Sequence, residues 1–567
     1  MHTIPHLVLA NAERLPNAPA LRTRTEGGWK TTTWSEYAHA VRRTANALIA
    51  SGIEPGDRVA IFSYNSPEWV IFDVAAMAIG AVPVGIYFSS SAEEITELLE
   101  LSGSRIALAG TAAHVAKIAS TPHPNLDLVV AVEGASGEAV TWESFLRRAD
   151  RTHDEAFDER VAALRADDPA TIIYTAAGFG GPLGVVLTHD NLVFASWSAV
   201  ELFEPTSADR VLSYLPLSHV AEQMFTIHIA AHAGYSVAFA QSIGRIRFDL
   251  PDIQPTIFFS VPLVWSGFER VVRSKIENLT GVQATIAKLA MGISYSNSAA
   301  RNAGRKRSAI RKATVAVARY LFTDRVKAAV GLADLRLAFS GAASASPETL
   351  EYFSSLDLLI REVYGLSEAS GPSIVTREGA TRFGSVGSPL PGIEMRLGDD
   401  GEILLRGRSV FPGYLNNPVA TQHALRDGWL HTGDLGAIGS DGLLTISGRK
   451  KDIVITTGGK NICPRPIEAL LREDPVIVDA VVVGDGYDQL GVLVSVASGS
   501  GTEEEMAHVE RRVAEVNQRY ARAEQIRKIG FLPRPLSLDD GERSEAGMVV
   551  RNVVVERFSD QIKDLYR

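Results

Sequence analysis

Two textures alternate along most of the chain. Apolar residues spaced three and four apart mark amphipathic helices, and short β-branched runs mark strands. Trp34–Ala50 is of the first kind and predicts a helix. Arg58–Phe62 is of the second and predicts a strand, entered through a loop containing Pro55, Gly56 and Asp57. The most apolar stretch, 74–88, is too short to span a bilayer and is broken by Gly80, Pro83 and Gly85, so it predicts a buried helix running into a strand. No repeat period intervenes, and the alternation predicts an α/β fold of layered sheets and helices. Near residue 448 the texture changes to a charged turn, a β-branched run and a Gly pair (ISGRKKDIVITTGGKNICP). The boundary is therefore set between a large, itself subdivided, domain at 1–448 and a small α+β lid at 449–567. Residues 503–518 and 553–566 read as amphipathic helices of that lid.

The 567 residues, 46% of them hydrophobic, predict about three or four core-forming units. With 56 Lys and Arg against 66 Asp and Glu the net charge is −10, so no global positive field draws nucleic acid, and an anionic ligand needs a local site. Residues 301–312 carry six basic side chains and read either as a solvated helix face or as a contact for a membrane surface or acidic partner. The single cysteine, Cys463, excludes an internal disulfide, and no Cys/His cluster has metal-ligand spacing. A reducing, cytoplasmic setting is expected, since the N-terminal sequence also lacks a secretory pattern.

The strand-like 171–174 run enters TAAGFGGPLGVVLTHDN, residues 175–191. A Gly-rich turn of this kind either gathers backbone N–H groups around a phosphate or simply packs tightly. The segment resembles the signature loop of the acyl-adenylate-forming superfamily (acyl-CoA synthetases, adenylation domains, luciferases), YTSGTTGxPKGVxLTHxN. Tyr174, Thr175, Gly180, Pro182, Gly184, Val185, Leu187, Thr188, His189 and Asn191 match it, whereas Ala176, Ala177, Gly178, Phe179 and Leu183 depart. The resemblance covers essentially the whole chain. LPLSHVAEQ (215–223), VPLVW (261–265) and SGAASASPETLEYF from Ser340 are most similar to the long-chain and very-long-chain acyl-CoA ligase branch.

That resemblance implies roles residue by residue. Tyr364, Gly365, Leu366, Ser367 and Glu368 match the motif serving ATP and magnesium. Asp434 in HTGDLG matches the holder of the ribose hydroxyls, and Arg449 the arginine supporting the nucleotide. Lys451 falls at the hinge, while Gly458 and Gly459 match the turn that approaches the pantetheine arm. Two lysines that the family uses during adenylation are absent: Leu183 stands in the loop, and ungapped alignment of 542–551 puts Met548 at the second position. A thioether carries no charge and donates no hydrogen bond.

Adenylation builds negative charge on phosphorus and expels pyrophosphate, and losing one positioned donor costs on the order of 10² to 10³ in rate. The expectation is an AMP-forming ligase homologue defective in ATP-driven adenylation. It would act without ATP on an acyl or aryl carboxylate derivative in a specialised biosynthetic pathway, bind AMP, adenylate or the CoA moiety, and have little use for ATP and magnesium. One alternative is a genuine ATP-dependent long-chain fatty acid–CoA ligase with Lys450, Lys460 or Arg543 as substitute cations; another is a non-catalytic ligand-binding relic. Candidate catalytic groups are His219, Glu222, Tyr364, Ser367 and Glu368. Thr175, Gly180, Gly184, Gly365, Asp434 and Arg449 form the nucleotide set. His219 is either a general base or a packing histidine, Glu368 is an acid or base if no phosphate engages it, and Asp434 with Arg449 could instead be a salt bridge across the domain junction. No metal site is expected: His228 and His232 lie one helical turn apart without a zincin Glu. Cys463 has no paired base. The partner is a small acyl or aryl molecule, with no nucleic acid and no membrane span; peripheral membrane contact and oligomeric state stay open.

Overall fold

A computed structural model describes residues 3–149, 153–175, 181–306, 308–457, 461–499, 501–544 and 547–567. The α/β expectation holds. One eight-stranded sheet runs in the order 413–414, 183–188, 169–175, 82–86, 58–62, 106–109, 128–131 and 140–141. A nine-stranded sheet runs 388–389, 371–375, 360–366, 337–340, 257–260, 210–213, 236–239, 19–25 and 28–33. Their central strands are parallel and covered on both faces, which is why Ile257–Ser260 and Leu337–Ser340 are buried at every position.

Local signals set the helices. Trp34–Ala50 starts at a capping box in which Thr33 and Glu36 satisfy each other's backbone N–H groups. The apolar 74–88 stretch divides as expected: Pro67–Ala78 is a helix capped by Ser66, buried from Trp69 to Ala78, and Val82–Ile86 is a strand. In that strand Gly85 lets the 215–219 loop cross closely, since a Cβ there would sit 2.9 Å from the Ser218 Cα.

A five-stranded antiparallel sheet follows, containing Glu394–Leu397, Glu402–Arg406, Leu425–Arg426, Trp429–Ile438 and Leu444–Arg449. The smaller C-terminal domain has a three-stranded sheet of Ile477–Val483, Leu490–Val496 and Ile526–Phe531, packed by Pro464–Arg472 and Glu503–Asn517 around Leu471, Val482, Val492, Val509 and Val513. The single helix expected over 553–566 is two, Arg551–Arg557 and Ser559–Tyr566. They part at Phe558, which leaves helical geometry (φ −99°, ψ 20°) with its side chain buried beside Leu536, Val554 and Ile562. Among the described residues no helix is long and apolar enough to cross a membrane.

The Ile360–Leu366 strand shifts register between Tyr364 and Gly365. A Cβ at Gly365 would lie 1.8 Å from the Gly371 carbonyl oxygen, a clash with backbone that no rotamer relieves. Gly365→Ala is expected to lower stability by about 2 to 4 kcal/mol, read as a drop in the urea midpoint at constant slope. An unchanged midpoint would contradict the packing.

Candidate active site

Asp434 and Arg449 face each other across the antiparallel pair formed by Trp429–Ile438 and Leu444–Arg449. Arg449 Nε pairs with Asp434 Oδ1 at 2.8 Å, and the Tyr364 hydroxyl, arriving from the nine-stranded sheet, donates to Oδ2 at 2.9 Å. Asp434 is only 4% exposed. Burial, reinforced by the Asp434 charge, pushes the Tyr364 phenol well above its ordinary value, while Asp434 raises Arg449 against the opposing effect of burial. The ion pair thus lies within one antiparallel strand pair. A carboxylate so engaged keeps lone pairs free to accept from the two hydroxyls of a vicinal diol.

Glu368 is engaged. The Tyr414 hydroxyl donates to its Oε1 at 2.8 Å, and Tyr414 belongs to Gly413–Tyr414, which pairs with Val185 and Val186. The carboxylate is thereby tied to the strand leaving the Gly-rich turn. Ser367 is buried beside it. In that turn's two strands Leu183 opposes Thr175 and Gly184 opposes Tyr174. Gly180 and the departures at 176–179 lie outside the described residues, as do Gly458, Gly459 and Lys460.

His219 caps the short Val220–Gln223 helix, its Nδ1 accepting from the Ala221 N–H at 3.1 Å. Its ring keeps an exposed edge but sits deep enough that burial holds it down at about 4. Near neutral pH it is therefore an uncharged acceptor. Glu222 points inward, accepts from Thr226 Oγ1 at 2.9 Å, and is pushed up by burial to about 7. The two side chains share a helix without bonding each other. This helix abuts Gly371, in the strand next to that of Tyr364. Beyond it lies a narrow, wholly apolar slot between helix and sheet, walled by Phe203, Phe225, Ile229, Ile257, Phe339 and Val363. Glu362, on the Tyr364 strand, is a buried carboxyl that sequence reasoning missed; burial pushes it up to about 8, and its Oε2 has no partner among the described residues.

A second missed group is Glu402. It accepts from Lys450 Nζ at 2.8 Å and from the Gly433 N–H at 2.9 Å, and meets His431 Nδ1 at 2.9 Å. Burial raises its pKa, but the Lys450 and His431 bonds outweigh that and hold it below the usual value. Lys450 also reaches Asp400 at 2.6 Å. Lys451, the next residue, makes no ion pair among the described residues; burial of its ammonium end, then the Arg449 charge, lowers it. Arg543 is bound to Asp479 and to the Gly547 carbonyl. Met548 closes the small turn, its N–H donating to Ser544 Oγ at 3.2 Å, and Gly547 lies against Leu263 of the large domain.

His228 is buried with neither ring nitrogen bonded, and no group of three or more His, Cys, Asp or Glu among the described residues could hold a metal ion. Glu368, with one oxygen already accepting from Tyr414, would offer magnesium a carboxylate. Cys463 donates to the Ser447 carbonyl, and burial pushes its thiol up, the opposite of an activated nucleophile.

The profile of the AMP-binding enzyme family matches residues 8–415, and that of the AMP-binding enzyme C-terminal domain matches 451–567. The long-chain-fatty-acid–CoA ligase FadD15 of Mycobacterium bovis is 36% identical, covering 95% of this chain and 93% of its own. The long-chain-fatty-acid–CoA ligase ACSBG2 of Homo sapiens is 32% identical over 87% of this chain and 76% of its own. Among solved structures, the anthranilate CoA ligase AuaEII in complex with anthranoyl-AMP superposes with TM-score 0.75 at 19% identity, covering 98% and 97% of the two chains. A Mycobacterium tuberculosis fatty acyl CoA synthetase does so with TM-score 0.68 at 22% identity, covering 98% of each.

Glu222 makes stability depend on pH. Its folded value lies above its unfolded one, so its contribution is complete below about 4.5 and is lost as pH rises through about 7. Wild type should therefore lose on the order of 3 kcal/mol relative to Glu222→Gln between roughly pH 4 and 8. Urea unfolding at both ends reads the difference, and parallel curves would remove the buried carboxyl from the account.

Proposed function

The chain belongs to the AMP-binding enzyme family, and on that premise we propose that it is an acyl-CoA-synthetase-type enzyme that takes a long-chain acyl group already activated instead of activating the acid with ATP. The observation that carries this is how the alternative cations are used. Lys450 is held by Asp400 and Glu402, Arg543 by Asp479, and Arg449 by Asp434, so none of these is at liberty to replace the lysines missing at Leu183 and Met548. Freeing one strands a carboxylate, at a cost of several kcal/mol where that carboxylate is buried.

The other half of the machinery is kept. Asp434 and Tyr364 would receive the ribose of an adenylate, with Arg449 orienting the carboxylate. Thr175, Gly184 and Gly365 would shape the wall around it, joined by Gly180 from the turn. The apolar slot, about 30 Å³ as it stands, would have to widen to take an acyl chain; its surface exposes no polar atom to favour an aryl carboxylate with ring substituents. His219 is uncharged with its acceptor Nδ1 taken by Ala221, so its Nε2–H would donate to a carbonyl or water, and Glu222 titrates near neutrality and could move a proton. Arg449 and Lys450, both paired with carboxylates of the large domain, would put the pivot at Lys451, just past the expected 448/449 division, and a swing there would bring Gly458 and Gly459 toward CoA. An enzyme fed by another catalyst in this way suits a biosynthetic relay.

A second reading, an ATP-dependent long-chain fatty acid–CoA ligase, is favoured by the names of the 36% and 32% identical relatives. Preformed palmitoyl-adenylate with CoA separates the two: thioester is expected without ATP, at a rate on the order of 10² to 10³ above that from palmitate with ATP. Equal rates support the second reading, and no thioester by either route leaves a binding relic. Leu183→Lys with Met548→Lys should raise the ATP route at least about tenfold; no gain would assign the defect to residues 176–179.

A further inference from the structure

Residues 262–330 hold thirteen Lys and Arg against three Asp and Glu, leaving 43 against 63 in the rest of the chain. A local charge of +10 is thus set into a body of −20. The segment folds as helices Pro262–Glu277, Gly281–Asn302 and Ala309–Ala318, a wide turn Arg319–Thr323 and the helix Asp324–Ala329. Gly281–Asn302 buries Ala287, Ala290, Ser294 and Asn297, and its Ser298 and Asn297 bond Ser354 and Asp357 of the large domain. Its other side presents Val282, Ile286, Leu289 and Ile293, spaced four, three and four apart. Ala309–Ala318 packs through Val315 and Ala318, leaving Ile310 77%, Val317 57% and Tyr320 73% exposed.

Ten of the nineteen exposed large hydrophobic side chains among the described residues fall in this one segment, a concentration that core packing does not account for. Lys288, Arg305, Lys306, Lys312 and Arg325 are exposed around them, and none has an ion-pair partner among the described residues. Lys312, Arg319, Tyr320 and Arg325 border an open cleft on the same hairpin.

We propose that this helical hairpin docks on an anionic phospholipid bilayer, with the Ile310, Val317 and Tyr320 side chains entering the headgroup boundary and the unpaired cations meeting lipid phosphates. Apolar stripes edged by Lys and Arg are the chemistry of interfacial helices. A nucleic acid would leave the aliphatic stripes uncovered, and a two-fold copy would set two +10 faces together. The position also serves the chemistry: Pro262–Glu277 begins two residues after the strand whose Ile257 lines the apolar slot. The docked face therefore lies on the element that leads to the acyl site. This inference is independent of how the acyl group is activated.

The test is co-flotation of the full-length protein with phosphatidylcholine vesicles, pure or containing about one-third phosphatidylglycerol. Binding is expected to the anionic vesicles only, and to weaken with salt. Each cation near such a surface contributes about fivefold in partitioning, so Arg305→Glu, Lys306→Glu and Lys312→Glu together should weaken it roughly a hundredfold. Ile310→Ser, Val317→Ser and Tyr320→Ser should make the residual binding fully salt-reversible. All six positions are exposed, and unchanged melting temperatures confirm intact folding. Equal binding to neutral vesicles, wild-type binding by the charge-reversed variant, or a lipid-free dimer abolished by the serine variant would each overturn the proposal.

Discussion

The Tyr364–Asp434–Arg449 network is the constraint on which the site depends. A carboxylate only 4% exposed needs partners in place of water, and here a phenol and a guanidinium supply them. Tyr364 comes from the nine-stranded sheet, and Asp434 and Arg449 from the five-stranded one. The hydrogen bond therefore ties the two sheets together at this point. Arg449 is also the last residue of its strand, followed at once by Lys450, anchored to Asp400 and Glu402. Binding geometry and the root of the small domain are set by one run of chain.

The same bookkeeping of charges limits the chemistry. An active centre for triphosphate needs cations with no other duty, and among the described residues Arg449, Lys450 and Arg543 are each committed to a carboxylate, leaving Lys451 unpaired. The turn that would have carried one such cation instead pairs Leu183 with Thr175. Close by lie two buried carboxyls, Glu222 and Glu362, that burial pushes up to about 7 and about 8.

Elements with strong local signals were legible in the sequence: the Thr33–Glu36 capping box announces Trp34–Ala50, and the Gly80 break separates the buried helix from Val82–Ile86. The family resemblance was carried by motifs, and the matched profiles agree with it. Pairings between distant segments were not legible. Nothing local marks Glu402 as the partner of His431 and Lys450, which lie 29 and 48 residues downstream, or Tyr414 as the partner of Glu368. The break at Phe558 was missed for a related reason, since periodicity alone does not reveal that a ring is needed in the core. The docking hairpin was seen only as the charge run 301–312; its apolar stripes emerge once burial shows which side of each helix is covered.

The central claim is that this site retains acyl and nucleoside recognition without the means to handle triphosphate. Exchange of labelled pyrophosphate into ATP, with palmitate and magnesium present, tests it most directly because it reads the adenylation step alone. The account predicts exchange reduced to near background, on the order of 10² to 10³ or more below a lysine-bearing relative. Exchange at the relative's own rate would contradict it and make the chain an ordinary ATP-dependent synthetase.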